Sequence, residues 1–219
     1  MQNVRAFFEK KGDARFLSHL DVMRCFTRAL KRTKLDVWYT QGFNSHIYLV
    51  FSNPLSLGFE SEYETVDFRM VSDDEIDFDD VKEKINLSLP EGIKVFRCDY
   101  PLNTHNEILY SEWSIVISGP EDVLYESFGS FLNQDVIQIS RTNKKGQVKT
   151  ENAIDYIKSI KYEKTNGNLI VNAILMSSNS ASLNPSVLLK AFLEFAGIEE
   201  NDYRICRKTL LLNNMKPFK

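Results

Sequence analysis

The chain has 219 residues, 43% hydrophobic and 26% charged, with 15 Phe and 9 Tyr, which suits one large or two small folded domains and excludes wholesale disorder. No apolar run approaches the ~18 residues of a membrane span, and the opening residues carry no apolar stretch of the secretory kind. Cys25, Cys98 and Cys206 are far apart, with no CxxC. They point away from a disulfide framework or a cysteine-held metal and toward a reducing cytoplasm, with no cofactor or metal of the chain's own.

The net charge of -3 conceals an asymmetry. Residues 1–48 hold nine Lys/Arg against four Asp/Glu, residues 49–99 hold five against thirteen, and the remainder is balanced. The acidic centre, Ser72 to Asp80, reads as a solvated turn entering a helix, where carboxylates suit the positive end of the dipole. A hard-cation loop needs a tight glycine turn, which this stretch lacks.

In chain order, Val4 to Glu9 reads as a strand and Lys11-Gly12-Asp13 as a turn. Ala14 to Leu17 is expected to be extended. Ser18 and Asp21 approximate a capping box opening a helix. Leu20, Met23, Phe26 and Leu30 form its expected buried stripe, with Arg24, Arg28, Lys31 and Arg32 opposite. Val37-Trp38-Tyr39 is extended, Gln41 to His46 is a loop, and Ile47 to Phe51 and Thr65 to Val71 are strands. Residues 79–89 are helical, and Ile93 to Phe96 is a strand. Residues 1–100 thus read β-α-β-β-α-β, the ferredoxin-like order.

Tyr100 to Asn106 is the expected linker. Residues 107–219 repeat the scheme. A strand at 109–117 is followed by a helix with Val123, Leu124, Phe128, Phe131 and Leu132 on its apolar side. Val136 to Arg141 is a strand leading into a hairpin turn at 143–146, and residues 151–158 are a short helical insertion. Ile160–Lys164 pairs with Leu169–Met176. Asn184-Pro185 opens a helix that Gly197 closes, and Tyr203 to Leu212 is the last strand, followed by a frayed tail. The fold class expected is α+β, two tandem ferredoxin-like βαββαβ halves with antiparallel sheets.

No phosphate loop, zinc-protease helix or nucleophile elbow occurs. The strongest chemical signal is the basic helix: Arg15, Arg24, Arg28, Lys31, Arg32 and Lys34 lie close in sequence, and arginine forks bind phosphate bidentately. Trp38, Tyr39, Phe43 and Tyr48 nearby are of the type that stacks bases. Arg141, Lys144, Lys145 and Lys149 form a basic hairpin, and Arg204, Arg207 and Lys208 a basic strand. The Ser-rich run Ser177 to Ser182 precedes a helix start, a connection that also suits a phosphate. His19 and His46, with Asp21, are the alternative: a hydrolase or endoribonuclease with paired imidazoles as acid and base. A protein-interaction scaffold, in which the basic helix meets an acidic partner beside an exposed apolar patch, is the third reading.

Arg15-Phe16-Leu17-Ser18-His19-Leu20-Asp21 with Arg24, then Gln41-Gly42-Phe43-Asn44 with His46, then Pro54-Leu55, Leu57-Gly58 and Glu60-Ser61 resemble the radical-SAM-linked protein family, a bacterial domain of unknown function. Ser45, Ile47 and Ser56 depart from its usual prolines. The second half agrees through Asn184-Pro185, Arg207 and Thr209. The resemblance implies an accessory protein without radical chemistry of its own, partnering a radical SAM enzyme, with genes often beside a ribonuclease of the E/G type. It also implies that Ser18, His19, Asp21, Arg24, Gln41, Asn44 and His46 act together. The expected role is to bind RNA or another anionic substrate through Arg15, Ser18, His19, Asp21, Arg24, Arg28, Gln41, Asn44, His46, Arg141, Lys145 and Arg207, and to present it to the partner.

Overall fold

A computed structural model describes the chain except residues 73, 143–147, 200 and 201 and the side chains at 141, 142 and 148. Two compact units emerge, Met1–His105 with Pro217–Lys219, and Asn106–Lys216. The architecture is mixed α+β, with antiparallel pairing inside each unit and four α-helices among the described residues.

The first unit runs β1 (Gln2–Lys10), a 3-10 turn (Gly12–Phe16), α1 (His19–Arg32), β2 (Leu49–Phe51), β3 (Glu60–Met70), α2 (Phe78–Asn86) and β4 (Ile93–Asp99). The strand order is β4-β1-β3-β2. Alternation along β1 sends Val4, Ala6 and Phe8 into the core with Phe26, Ala29, Leu30, Val81 and Ile85 of the helices. Arg5 and Phe7 point to the other face, where Arg5 is registered against Asp67, and Phe7 against Thr65 and Arg97.

Local chemistry fixes where α1 starts. Ser18 Oγ accepts from the Asp21 N–H, and the Asp21 carboxylate accepts from the Ser18 N–H and hydroxyl, a complete capping box. The buried stripe is Val22, Phe26, Ala29 and Leu30, not the one expected from Leu20 and Met23; Leu20 is exposed and Met23 half-buried. Val22 continues the inward spacing of Phe26, Ala29 and Leu30 and joins Phe8 in the core, which leaves Leu20 on the outer side. Residues 12–16 form a 3-10 turn in place of the expected extended piece. The Lys11 N–H donates to the Gly92 carbonyl there, and a Cβ on Gly92 would lie 2.5 Å from Lys11 O and 2.8 Å from the Ala14 Cβ. That crowding, at φ +81, leaves glycine as the residue that fits.

The second unit runs β5 (Ile108–Ser118), α3 (Glu121–Leu132), β6 (Gln138–Thr142), β7 (Val148–Asn152), a 3-10 turn (Ala153–Tyr156), β8 (Ile157–Thr165), β9 (Asn168–Met176), α4 (Pro185–Ala196) and β10 (Tyr203–Leu212). Its order is β10-β5-β9-β8, with β6 and β7 paired separately. Residues 151–158 are therefore the end of a strand, one 3-10 turn and the start of the next strand. α3 and α4 meet through Phe128, Phe131 and Phe192, with ring centroids of Phe128 and Phe192 4.9 Å apart. Val123 is exposed, displaced from the expected apolar side by Leu124. α4 is capped by Asn184, begins on Pro185 and closes on Gly197 at φ 67.

The tail is not frayed. Phe218 is fully buried in the first unit, its carbonyl accepts from the Tyr63 hydroxyl at 2.7 Å, and the Lys219 carbonyl accepts from the Leu102 and Asn103 N–H groups. The hairpin turn expected at 143–146 lies outside the described residues.

Candidate functional site

A recess of about 400 Å³ lies along α1, lined by Met23, Arg24, Thr27, Arg28, Lys31, His46, Ile47 and Leu49. Three successive turns of one helix supply its cations, because residues 24, 28 and 31 recur at helical spacing. The far wall comes from the loop before β2. Its shape is fixed by isolated pairing of Tyr39 with Ile47 and by His46, whose Nδ1 lies 2.9 Å from the Asn44 carbonyl and 3.1 Å from Thr40 Oγ1. Arg24 shares its charge with Asp21 at 3.4 Å, whereas Arg28 and Lys31 form no ion pair among the described residues. The recess therefore carries unneutralised positive charge and attracts anions.

Gln41, Gly42, Phe43 and Asn44 stand exposed on the same loop, Phe43 completely so. The side-chain amides of Gln41 and Asn44 have no hydrogen-bond partner among the described residues. Exposure of an entire phenyl ring costs burial energy that folding otherwise gains, so Phe43 suits a stacking partner outside the chain. Trp38 and Tyr48 are different. The Arg69 guanidinium lies over both rings, 5.2 Å and 4.4 Å from their centroids.

Ser18 and Asp21 are accounted for by the capping box; those bonds from Ser18 hold the Asp21 carboxyl below its ordinary range. The half-buried Arg15 stacks on Phe16, and its carbonyl accepts from Gly58 N–H, joining the first and third motifs. His19 lines a different, smaller cavity of about 20 Å³, with Lys10, Glu64, Phe8, Val22, Phe51, Pro54 and Leu55. His19 and His46 thus line different recesses. Arg207 is corrected outright: it is 1% exposed, with its guanidinium 5.2 Å from the Trp113 ring, because period-two alternation puts it on the buried face with Ile205. Lys145 and the Arg141 side chain lie outside the described residues.

Sequence reasoning missed two buried polar groupings. Lys10 and Glu64 are buried at the end of the core beside His19. Lys10 had a signal, since it follows Val4, Ala6 and Phe8 on the inward side of β1. The other grouping joins Arg5, Asp67, His105 and Ser52. Arg5 Nε and Nη2 each donate to Asp67 at 2.7 Å, His105 Nε2 lies 3.1 Å from Asp67 Oδ2, and His105 Nδ1 lies 2.6 Å from Ser52 Oγ. Burial raises the Asp67 carboxyl, but the bonds from Arg5 and His105 outweigh it and hold the group below its ordinary range. Ser52 is itself buried and accepts from Thr65 Oγ1 at 2.6 Å, so this arrangement fixes the strand edge and leaves no accessible nucleophile. Burial raises the thiols of Cys25 and Cys98, the latter to about 12, which makes both poor nucleophiles. Among the described residues no group of three or more His, Cys, Asp or Glu is placed to hold a metal. No helix of the described chain is long and apolar enough to cross a membrane.

Fold and site together define an α+β protein with a basic recess along its first helix. The chain belongs to the family described as an uncharacterized protein conserved in bacteria, DUF2344, whose model matches residues 3–185. No curated protein matches it. Among solved structures it resembles a chain of the crystal structure of a Cbf5-Nop10-Gar1 complex, at a TM-score of 0.52 and 10% identity. The match covers 94% of this chain and 48% of that one, so this chain spans about half the other's length, and the likeness is one of fold.

Proposed function

We propose that the protein is a non-catalytic module that binds single-stranded RNA, or a similar polyanion, in the α1 recess and presents it to a partner enzyme. The observation that carries this reading is the convergence of Arg24, Arg28, Lys31 and His46 on one recess, with the exposed Phe43 in the loop that supplies His46. Cations held along a helix match a phosphate backbone, and an exposed ring offers a base a stacking surface. Gln41 and Asn44 supply hydrogen bonds to base edges. Each unit is read as a ferredoxin-like half, a reading supported by the β4-β1-β3-β2 order and its counterpart β10-β5-β9-β8. The partner is a radical SAM enzyme in the cytoplasm, on the strength of the motif resemblance, with a ribonuclease of the E/G type as a further associate. Filter binding of a short labelled RNA tests the reading: affinity falls as salt rises, and replacing Arg28 and Lys31 together by Ala weakens it across sequences. Absent or salt-independent binding overturns it.

A second reading has its own observation. Phe16 and Leu57 are exposed next to the junction where Gly58 N–H meets the Arg15 carbonyl, and Leu20 is exposed on the first turn of α1. Such a patch suits a docked protein. Co-elution with the purified radical SAM partner in the absence of RNA, lost on replacing Leu20 and Leu57 by Ser, favours a scaffold role.

A further inference from the structure

The sheet face of the first unit that points away from α1 and α2 carries two guanidinium groups with incomplete partners. Arg5 is 1% exposed. Its Nε and Nη2 edge is used on Asp67, which leaves Nη1 with no hydrogen-bond partner among the described residues. Arg97 lies on the neighbouring strand at the position registered with Phe7, its guanidinium 3.8 Å from the Phe7 ring centroid. Its Nε is also buried and without a partner among the described residues. The Tyr63 ring packs against Phe7, 5.5 Å between centroids, and both guanidinium charges act on its hydroxyl. Residues 5 and 7 share a face of β1 about 7 Å apart, and the two guanidinium groups are linked through packed neighbours on it: Arg97 on Phe7, Phe7 on Tyr63, Tyr63 bonded to the Phe218 carbonyl, and the Phe218 ring by Arg5.

Unmatched buried donors are rare and costly in folded proteins. Here the shortfall is one of anionic acceptors. Asp67 is shared between Arg5 and His105, and Asp99 accepts the Tyr100 N–H. Phe218 covers the region: its ring lies 4.2 Å from the Arg5 guanidinium, and its carbonyl takes the Tyr63 hydroxyl proton in a hydrogen bond. A phenyl ring supplies a cation with only weak compensation compared with a charge-assisted hydrogen bond.

We infer that Arg5, Arg97 and Tyr63 form a buried binding site for a small tetrahedral oxyanion of the phosphate or sulfate type, with Phe218 as its cover. The anion accepts from Arg5 Nη1 and Arg97 Nε, and the Tyr63 hydroxyl reaches it when the tail lifts. None of these residues belongs to the α1 recess, so the inference stands apart from the RNA reading.

The test is a thermal melt of the full chain in increasing inorganic phosphate at constant ionic strength, with chloride and acetate as controls, followed by calorimetric titration. Phosphate raises the melting temperature saturably, whereas chloride and acetate do not. Arg97→Gln weakens the apparent affinity about tenfold or more, as expected when one charge-assisted bond is removed. Phe218→Ala strengthens it, since removing the cover raises the binding-competent fraction. Replacing Arg28 and Lys31 by Ala leaves it unchanged. An equal response to acetate, an equal phosphate response in the parent chain and Arg97→Gln, or no response in either the parent chain or Phe218→Ala overturns the inference. Should Arg97→Gln fail to fold, the Phe218→Ala comparison alone decides the matter.

Discussion

The two units have corresponding strand orders, with the β6–β7 pair added in the second, but fill their interiors differently. In the second, the described core is apolar, built on Phe128, Phe131, Phe192 and the inward strand residues, with Ser111 and Arg207 as its buried polar or charged members. The first buries Arg5, Lys10, Thr33, Ser52, Ser61, Glu64 and Thr65. A packed apolar core is the less costly way to fold, because burying charge carries a desolvation penalty that pairing only partly offsets. The unit that departs from that pattern also holds the three sequence motifs, the basic recess and the unmatched arginines. On the proposed reading, the binding role falls to the first unit.

Substitutions sharpen this contrast, beginning with the largest. Phe192→Ala in the second unit is expected to cost about 3–5 kcal/mol by leaving a cavity between α3 and α4, read by urea unfolding, with RNA affinity of the folded fraction unchanged. Asp67→Asn in the first unit is expected to cost about 3 kcal/mol, because it strands the buried Arg5 charge. The same variant carries a pH signature. Asp67 titrates below its ordinary value when folded, so its contribution is complete above the ordinary carboxylate pKa of about 4 and is lost as pH falls through the lower folded value. The urea midpoint of the parent chain therefore drops on acidification more steeply than that of Asp67→Asn; parallel curves contradict the assignment.

Much of the fold is legible from sequence where the cause is local. Ser18 with Asp21, and Asn184-Pro185 with Gly197, announce helix ends because capping is settled by neighbours a few residues apart. The alternation from Tyr203 to Leu212 likewise gives β10 its observed bounds. Long-range partners are not legible. Leu20 and Val22 are both apolar, and only packing against the rest of the unit decides which is buried. Arg207 resembles any surface arginine until β10 is registered against Trp113. Phe218 reads as a loose end because its partners, Tyr63 and Arg5, lie more than 150 residues earlier. At the site, the helix spacing of Arg24, Arg28 and Lys31 is legible, but which histidine joins them is not: the loop brings His46 to the recess, while His19 turns to the Phe51 ring, 5.2 Å away.

Smaller effects refine the comparison. Phe43→Ala is expected to weaken RNA binding by about 1–3 kcal/mol without changing stability, as measured by fluorescence anisotropy alongside melting. Ser18→Ala and Asn184→Ala each remove one cap and are expected to cost about 1 kcal/mol in denaturant unfolding. Of the two, Ser18→Ala alone is expected to alter RNA binding, since α1 carries the recess.

The central claim, that the α1 recess is where the polyanion binds, is tested most directly by the salt dependence of RNA affinity. The logarithm of affinity against the logarithm of salt is compared for the parent chain, the Arg28→Ala with Lys31→Ala variant, and Arg204→Ala on the exposed side of β10. The expected result is a slope shallower by about 1.4 in the recess variant, because two phosphates go unneutralised at ~0.7 each, and a parent-like slope in Arg204→Ala. A recess variant with the parent slope, or an equal flattening in Arg204→Ala, contradicts the account.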